Sequence, residues 1–280
     1  MQRQHPVHGT ECRRLIDPRA IIDPSVRLGA DVEVGPWSLI GPGVVIGDGC
    51  VIASHVVIKG PTRMGQRNRV YPFAVIGEDT SDRSYAGEPT ELVIGDDNVF
   101  REGVNIHRGT VKDQGRTVIG SHGLFMPYVH IAHDCVIGDH VILANYAAVS
   151  GHVRVGDHAN FGGYAGVAQY RRVGAHTHIA ASSLVLKDVP DFVTVAGNPA
   201  GAVGLNLEGL RRRGFGPERL KTLQQAYRTV YRSGLTLNEA RVALADAGRE
   251  SADVAAFVAS LEHARWGIVR PRGRAHADDD

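Results

Sequence analysis

The chain has 280 residues, with 31 basic and 30 acidic side chains, a formal net charge of +1 and an apolar fraction of 43%. So even a balance supplies no overall field to hold nucleic acid or an anionic membrane. No apolar run approaches the ~18 residues that a transmembrane helix requires. Met1 to Ala20 lack the apolar stretch of a signal peptide, and Cys12, Cys50 and Cys135 form an odd, widely spaced set with no metal motif, so a reduced cytoplasm is the expected setting.

Residues 1–18 read as a flexible N-terminal extension. A six-residue repeat then begins. Ile22, Leu28, Val34, Ile40, Ile46, Ile52, Ile58, Met64, Val70 and Ile76 are all large and apolar, and Gly29, Gly35, Gly41, Gly47, Gly65 and Gly77 each follow one of them. The phase breaks at a polar insertion near 78–91 and resumes with Ile94, Phe100 and Ile106. A second insertion, 111–116, shifts the frame by one residue. From Ile119 the register runs through Phe125, Ile131, Ile137, Leu143, Val149, Val155, Phe161, Val167, Val173 and Ile179 to Val185 without a miss.

A six-residue period fits neither a lone helix nor a hairpin, but it fits a short strand followed by a corner. One large side chain points inward. Small residues such as Val26, Val32, Ser38, Val44 and Cys50 fill the next inward place, and the glycine is expected to permit the corner. Three units close a triangular coil, and coils stack through parallel strand pairing at roughly 4.8 Å. The expected fold is therefore mainly β: a parallel β-helix over 19–200 with two loop insertions.

Beyond Asn198 and Pro199 the period changes, and 201–270 reads as a small C-terminal α-helical domain. Pro217 to Arg232 has the helical spacing, with Leu220, Leu223, Ala226, Val230 and Tyr231 apolar and a stop near Gly234. Thr236 and Glu239 form a capping-box pattern for a second helix, and Ser251 caps a third that carries Val254, Phe257, Val258 and Leu261. Residues 271–280 read as a flexible tail.

The segment from His130 to Cys135 (HIAHDC) carries the clearest chemistry. A histidine beside an aspartate is a candidate general base, because the carboxylate orients the ring and stabilises its charged form. A solvated corner histidine is the plainer reading of any one of the fourteen histidines taken alone. One coil spans about 18 residues, so Gly151 stacks over His133, with His152 beside it and Gln169 a further coil along. A base, a backbone amide and an amide side chain then line one corner.

Four stretches occur in order: Tyr85 to Thr90 (YAGEPT), Ile106 to Thr110 (IHRGT), His130 to Cys135, and Asn206 to Phe215 (NLEGLRRRGF). Together with the repeat and the helical end, they resemble the UDP-N-acetylglucosamine acyltransferases of lipid A biosynthesis, within the hexapeptide-repeat acyltransferases. The similarity covers about residues 15–270. It implies a left-handed helix, a homotrimer with clefts between subunits, and transfer of a (3-hydroxy)acyl chain from acyl carrier protein to the sugar 3-hydroxyl. The phosphopantetheine thioester of the carrier is then a co-substrate, and neither a permanent cofactor nor a metal is implied.

Carried over by position, the resemblance implies that His133 is the base, Asp134 its support and the Gly151 amide the oxyanion donor. It implies that Asp82, His107, His130, His152 and Gln169 line the substrate pocket, and that Asn206, Glu208 and Arg212 hold the nucleotide end. Arg211 and Arg213 extend a basic run suited to an acidic carrier protein, and Ala180 and Ala181 end the acyl groove. Three departures stand out: Ala168 where relatives often have histidine, Ser84 where a basic residue often precedes YAGEPT, and the alanines at 180 and 181 where some have glycine. Competing readings are an N-acyltransferase acting on a 3-amino sugar, a γ-carbonic-anhydrase-like zinc protein, and a non-catalytic scaffold.

Overall fold

A computed structural model describes residues 16–262, 264 and 267–271. Most of the expected N-terminal extension, with Cys12, and positions 272–280 of the expected tail lie outside the described residues.

Strands of mostly two residues, each followed by a turn, wind from Ile21 to Val185. Every third strand joins the same sheet, giving three parallel sheets of nine, eight and ten strands, the last closed by one antiparallel pair. Residues 18 apart fall in register, as in the pairs Val136 with Arg154 and Arg154 with Arg172. The inward hexad positions are the core. From Val34 to Val185 every one is at most 3% exposed, while Ile22 and Leu28 are partly buried at the open end. Val32, Val44, Cys50 and Ser38 fill the second inward place at 4% exposure or less. Ser38 is satisfied there by donating to the Ala53 carbonyl at 2.6 Å.

The corners differ from the sequence expectation. Of the six glycines that follow the early hexad residues, only Gly77 has a positive φ. The left-handed position falls instead on Asp31, Trp37, His55, Arg67, Phe73 and their successors, at φ between 53° and 66°. The glycines are small for another reason. A Cβ on Gly35 would lie 2.8 Å from the backbone of Ala53 in the next coil, so the stack leaves no room for a side chain.

A left-handed φ is costly for bulky residues, and stacking between coils offsets part of that cost. His122, His140, His158 and His176 stack face to face along one corner at 4.7–4.8 Å. Tyr128, Tyr146 and Tyr164 stack along another at 4.9–5.0 Å. The spacing is that of parallel strands.

Two loops leave the coil, between the strands Val75–Glu78 and Glu91–Ile94 and between Asn105–His107 and Arg116–Ile119. At the far end Gly201–Leu205 pairs antiparallel with Val193–Ala196, so the sheet extends past Pro199 before the helices begin. The helices are α1 (Leu207–Arg212), α2 (Pro217–Arg232), α3 (Leu237–Ala243), α4 (Ala245–Glu250) and α5 (Ala252–Glu262). Helix α2 buries Leu220, Leu223, Ala226, Val230 and Tyr231 together with Tyr227. Thr236 and Glu239 form the capping box of α3 in both directions. Ser251 precedes α5, and its hydroxyl accepts from the Val254 amide at 3.4 Å. No helix among the described residues is long and apolar enough to cross a membrane.

Candidate active site

The strand His130–Ile131 runs into a corner at which Asp134 takes a φ of 58°. The equivalent turns one and two coils on place His152 at 63° and Tyr170 at 64°. The His152 amide donates to the His133 carbonyl at 3.0 Å, and the Tyr170 amide to that of Gly151 at 3.1 Å. Stacking alone therefore lines up His133, His152 and Tyr170.

The His133 imidazole is bonded through Nδ1 to Asp134 Oδ2 at 2.8 Å. Asp134 is 1% exposed and accepts two further bonds from Thr110, from the amide at 2.9 Å and the hydroxyl at 2.6 Å. Burial alone would raise this carboxyl, but the bonds from His133 and Thr110 outweigh it and hold Asp134 below the usual carboxylate range. An ionised Asp134 fixes the tautomer with hydrogen on Nδ1, which leaves the Nε2 lone pair free to take a proton. Gly151 lies against the same ring: a Cβ there would fall 2.6 Å from His133 Cε1 and 2.7 Å from Nε2. The His152 ring meets His133 edge to face at 5.0 Å and stacks on Tyr170 at 4.4 Å.

These groups open onto a cleft of about 420 Å³ lined by Ser81, Asp82, Arg83, Lys112, His133, His152, Gln169 and Tyr170. His133 is 7% exposed overall, yet its ring borders this space. Four sequence-selected residues, Asp82, His133, His152 and Gln169, thus meet in one place. The roof comes from the two inserted loops, where Asp82 Oδ2 accepts from Lys112 Nζ at 2.8 Å. That bond and the two from Ser84 hold Asp82 well below the usual carboxylate range.

His107 and His130 pack edge to face at 5.0 Å on neighbouring coils, and His130 Nδ1 lies 3.0 Å from Asn105 Oδ1. Burial, reinforced by the neighbouring His130, pushes His107 down to about 4, and burial lowers His130 as well. Both rings are therefore neutral at neutral pH, and His107 Nδ1 has no hydrogen-bond partner among the described residues.

The nucleotide-end candidates stand elsewhere in the chain. Asn206 caps α1 by accepting from the Gly209 amide, and its Nδ2 donates to the His176 carbonyl at 2.9 Å, on the corner that carries the histidine stack. Glu208 and Arg212 pair with each other at 2.9 Å on the exposed face of α1, and Arg211 stands 4.0 Å from Glu208. Arg213, half-buried, donates to the carbonyls of Gly209 and His158 and ties α1 to the coil. Ala180 and Ala181 follow the strand His178–Ile179, and the Ala181 backbone presses on Gly162.

Sequence reasoning missed Thr110, Lys112 and Asp113. Lys112 and Asp113 come from the second insertion, and Thr110 ends the IHRGT stretch just before it. The signal for Thr110 is its place in that motif, and for Lys112 and Asp113 it is only that they leave the regular repeat. His133, Asp134 and His152 also offer ligand atoms within 4.8 Å of one another. Their most direct contact is already the His133–Asp134 hydrogen bond, and a tetrahedral zinc at ~2.0–2.1 Å from each ligand would have to displace it.

Comparison with known proteins agrees with this architecture. A family model described as Udp N-acetylglucosamine O-acyltransferase, domain 2, matches residues 188–269, and the bacterial transferase hexapeptide repeat matches 25–60 and 116–151. A curated relative from Stutzerimonas stutzeri, named acyl-[acyl-carrier-protein]–UDP-N-acetylglucosamine O-acyltransferase, is 57% identical over 212 residues, covering 76% of this chain and 82% of its own. A solved UDP-N-acetylglucosamine acyltransferase structure from Acinetobacter baumannii superposes with a TM-score of 0.90 at 45% identity, covering 91% of this chain and 100% of that one. The structure of the Moraxella catarrhalis enzyme gives 0.89 at 44% identity, with the same coverages. The stacked triangular coils are thus the left-handed parallel β-helix of these acyltransferases, and the chain belongs to the family of acyl-[acyl-carrier-protein]–UDP-N-acetylglucosamine O-acyltransferases.

Proposed function

We propose that the protein moves a (3-hydroxy)acyl group from acyl carrier protein to the 3-hydroxyl of UDP-N-acetylglucosamine, the reaction that opens lipid A synthesis, with His133 as general base. The observation that carries the reading is the Asp134–His133 pair beside an open cleft, with Nε2 left to act. His133 Nε2 takes the hydroxyl proton as the sugar oxygen attacks the thioester carbonyl. The Gly151 amide, beside the same ring, is the donor for the tetrahedral oxyanion. Collapse of the intermediate breaks the carbon–sulfur bond, and the imidazolium returns its proton to the departing thiolate of phosphopantetheine. Asp134 stabilises the imidazolium throughout.

Asp82, His107, His130, His152 and Gln169 position the acceptor and the acyl group, while Ala180 and Ala181 end the acyl groove. Asn206, Glu208 and Arg212 hold the nucleotide, and the exposed Arg211 meets the acidic carrier protein. In one chain the α1 residues are anchored to the histidine-stack corner and His133 belongs to another. A homotrimer, in which α1 of one subunit approaches the His133 corner of its neighbour, unites them. The setting is cytoplasmic, where both substrates are available.

A single assay tests the reading. Purified protein is supplied with acyl carrier proteins bearing chains of different length and 3-hydroxylation, and with UDP-N-acetylglucosamine or its 3-amino counterpart. Ester formation on the 3-hydroxyl is expected. Turnover with the amine alone, or with neither sugar, contradicts the proposal.

A further inference from the structure

We infer that Lys112 is a positioning residue for the sugar nucleotide, acting through Asp82. The inference rests on the function proposed above and adds a determinant of acceptor affinity.

Asp82 enters the cleft from the first inserted loop with both carboxylate oxygens engaged. Oδ1 accepts from the Ser84 amide at 2.9 Å and hydroxyl at 2.7 Å, and Oδ2 accepts from Lys112 Nζ at 2.8 Å. Ser84 belongs to Asp82's own loop, whereas Lys112 comes from the second insertion. The second loop makes two more contacts of the same kind. Thr110 binds Asp134, and Asp113 Oδ2 lies 3.4 Å from His152 Nδ1. One short segment therefore touches the support of the base, a pocket histidine and the pocket carboxylate.

Charge decides what Lys112 does there. Asp82 is the one carboxylate that lines the cleft, beside Lys112 and Arg83, while Asp113 and Asp134 stand behind it against His152 and His133, and the proposed acceptor is an anionic diphosphate. An unpaired Asp82 would repel that ligand. Paired with Lys112 it is neutral as a unit and still presents oxygen lone pairs to a sugar hydroxyl or amide N–H. Proton transfer is held separately by Asp134 and Thr110, so loss of Lys112 weakens acceptor binding and spares the chemical step. The Asp82 side chain is 18% exposed and that of Lys112 48%, so a bare ion pair at this position would contribute little to the fold.

The test is steady-state kinetics with saturating acyl carrier protein substrate. Lys112→Ala is expected to raise KM for UDP-N-acetylglucosamine at least fivefold with kcat within about threefold of the parent. Lys112→Arg is expected to retain affinity within about threefold. In the Lys112→Ala background, Ser84→Lys returns a cation to Asp82 from the neighbouring position and is expected to recover most of the lost affinity. A rise in KM below fivefold overturns the inference, as does a loss confined to kcat or a loss that neither cation restores. Parent protein inactive on UDP-N-acetylglucosamine sinks the functional proposal instead, so the two failures are told apart.

Discussion

The imidazole at position 133 is held by what surrounds it. Asp134 takes three hydrogen bonds, two from Thr110 and one from His133, so a single carboxylate links the second inserted loop to the base. Gly151 supplies the wall behind the ring. Gly151→Ala puts a methyl carbon 2.6 Å from Cε1, and the ring must swing away or the coil must shift. Turnover is expected to fall about 100-fold or more, the scale of a misplaced general base, while the melting temperature stays within a few degrees of the parent. A variant with parent-like turnover would show that the ring tolerates displacement. Dialysis against a chelator is expected to leave turnover unchanged, because the best-placed potential ligands, His133 and Asp134, are bonded to each other. Loss on chelation with recovery on adding zinc would contradict that assignment.

At the scale of the element, one rung is repeated. Each inward residue from Val34 to Val185 meets the same surroundings, with matching residues one coil above and below, which is why the period could be read from the sequence directly. Ile137 is 1% exposed between Ile119 and Val155. Ile137→Asp forces a carboxylate into that column without a partner and is expected to cost several kcal/mol. Chemical denaturation or failure to express soluble protein checks it. Thr236→Ala removes one direction of the α3 capping box and is expected to cost about 0.5–2 kcal/mol. The corners were illegible for a physical reason: most left-handed positions carry aspartate, histidine, tyrosine or phenylalanine, with glycine at only a few such as Gly43 and Gly49, and only the stack between coils reveals what tolerates the larger residues. The loop carrying Thr110, Lys112 and Asp113 was illegible too, because its partners Asp82, Asp134 and His152 are distant in sequence or belong to other coils. Helix α4 lies between two capped helices with no side-chain cap of its own, and nothing in the spacing marks it.

For the whole molecule, burial sets a pH window. His107 and His176 are pushed down to about 4, and burial also lowers His130, His158 and His178. Each binds its proton less readily folded than unfolded, where ~6.5 is ordinary. Their contribution is complete above about pH 6.5 and is lost as pH falls toward 4. The melting temperature is therefore expected to drop across that interval, and His176→Asn is expected to reduce the drop; an unchanged slope would remove His176 from the account. The division of site residues between two corners gives a second whole-molecule expectation. Mixing His133→Ala chains with Arg212→Ala chains in refolded trimers is expected to restore part of the activity that each lacks alone, and no recovery would argue against a shared cleft. The most direct measurement of the central claim is single-turnover transfer by His133→Ala protein whose circular dichroism and melting temperature match the parent. A fall of roughly two to four orders of magnitude in the chemical step is the result expected for a positioned base, and transfer within a few-fold of the parent rate would contradict it.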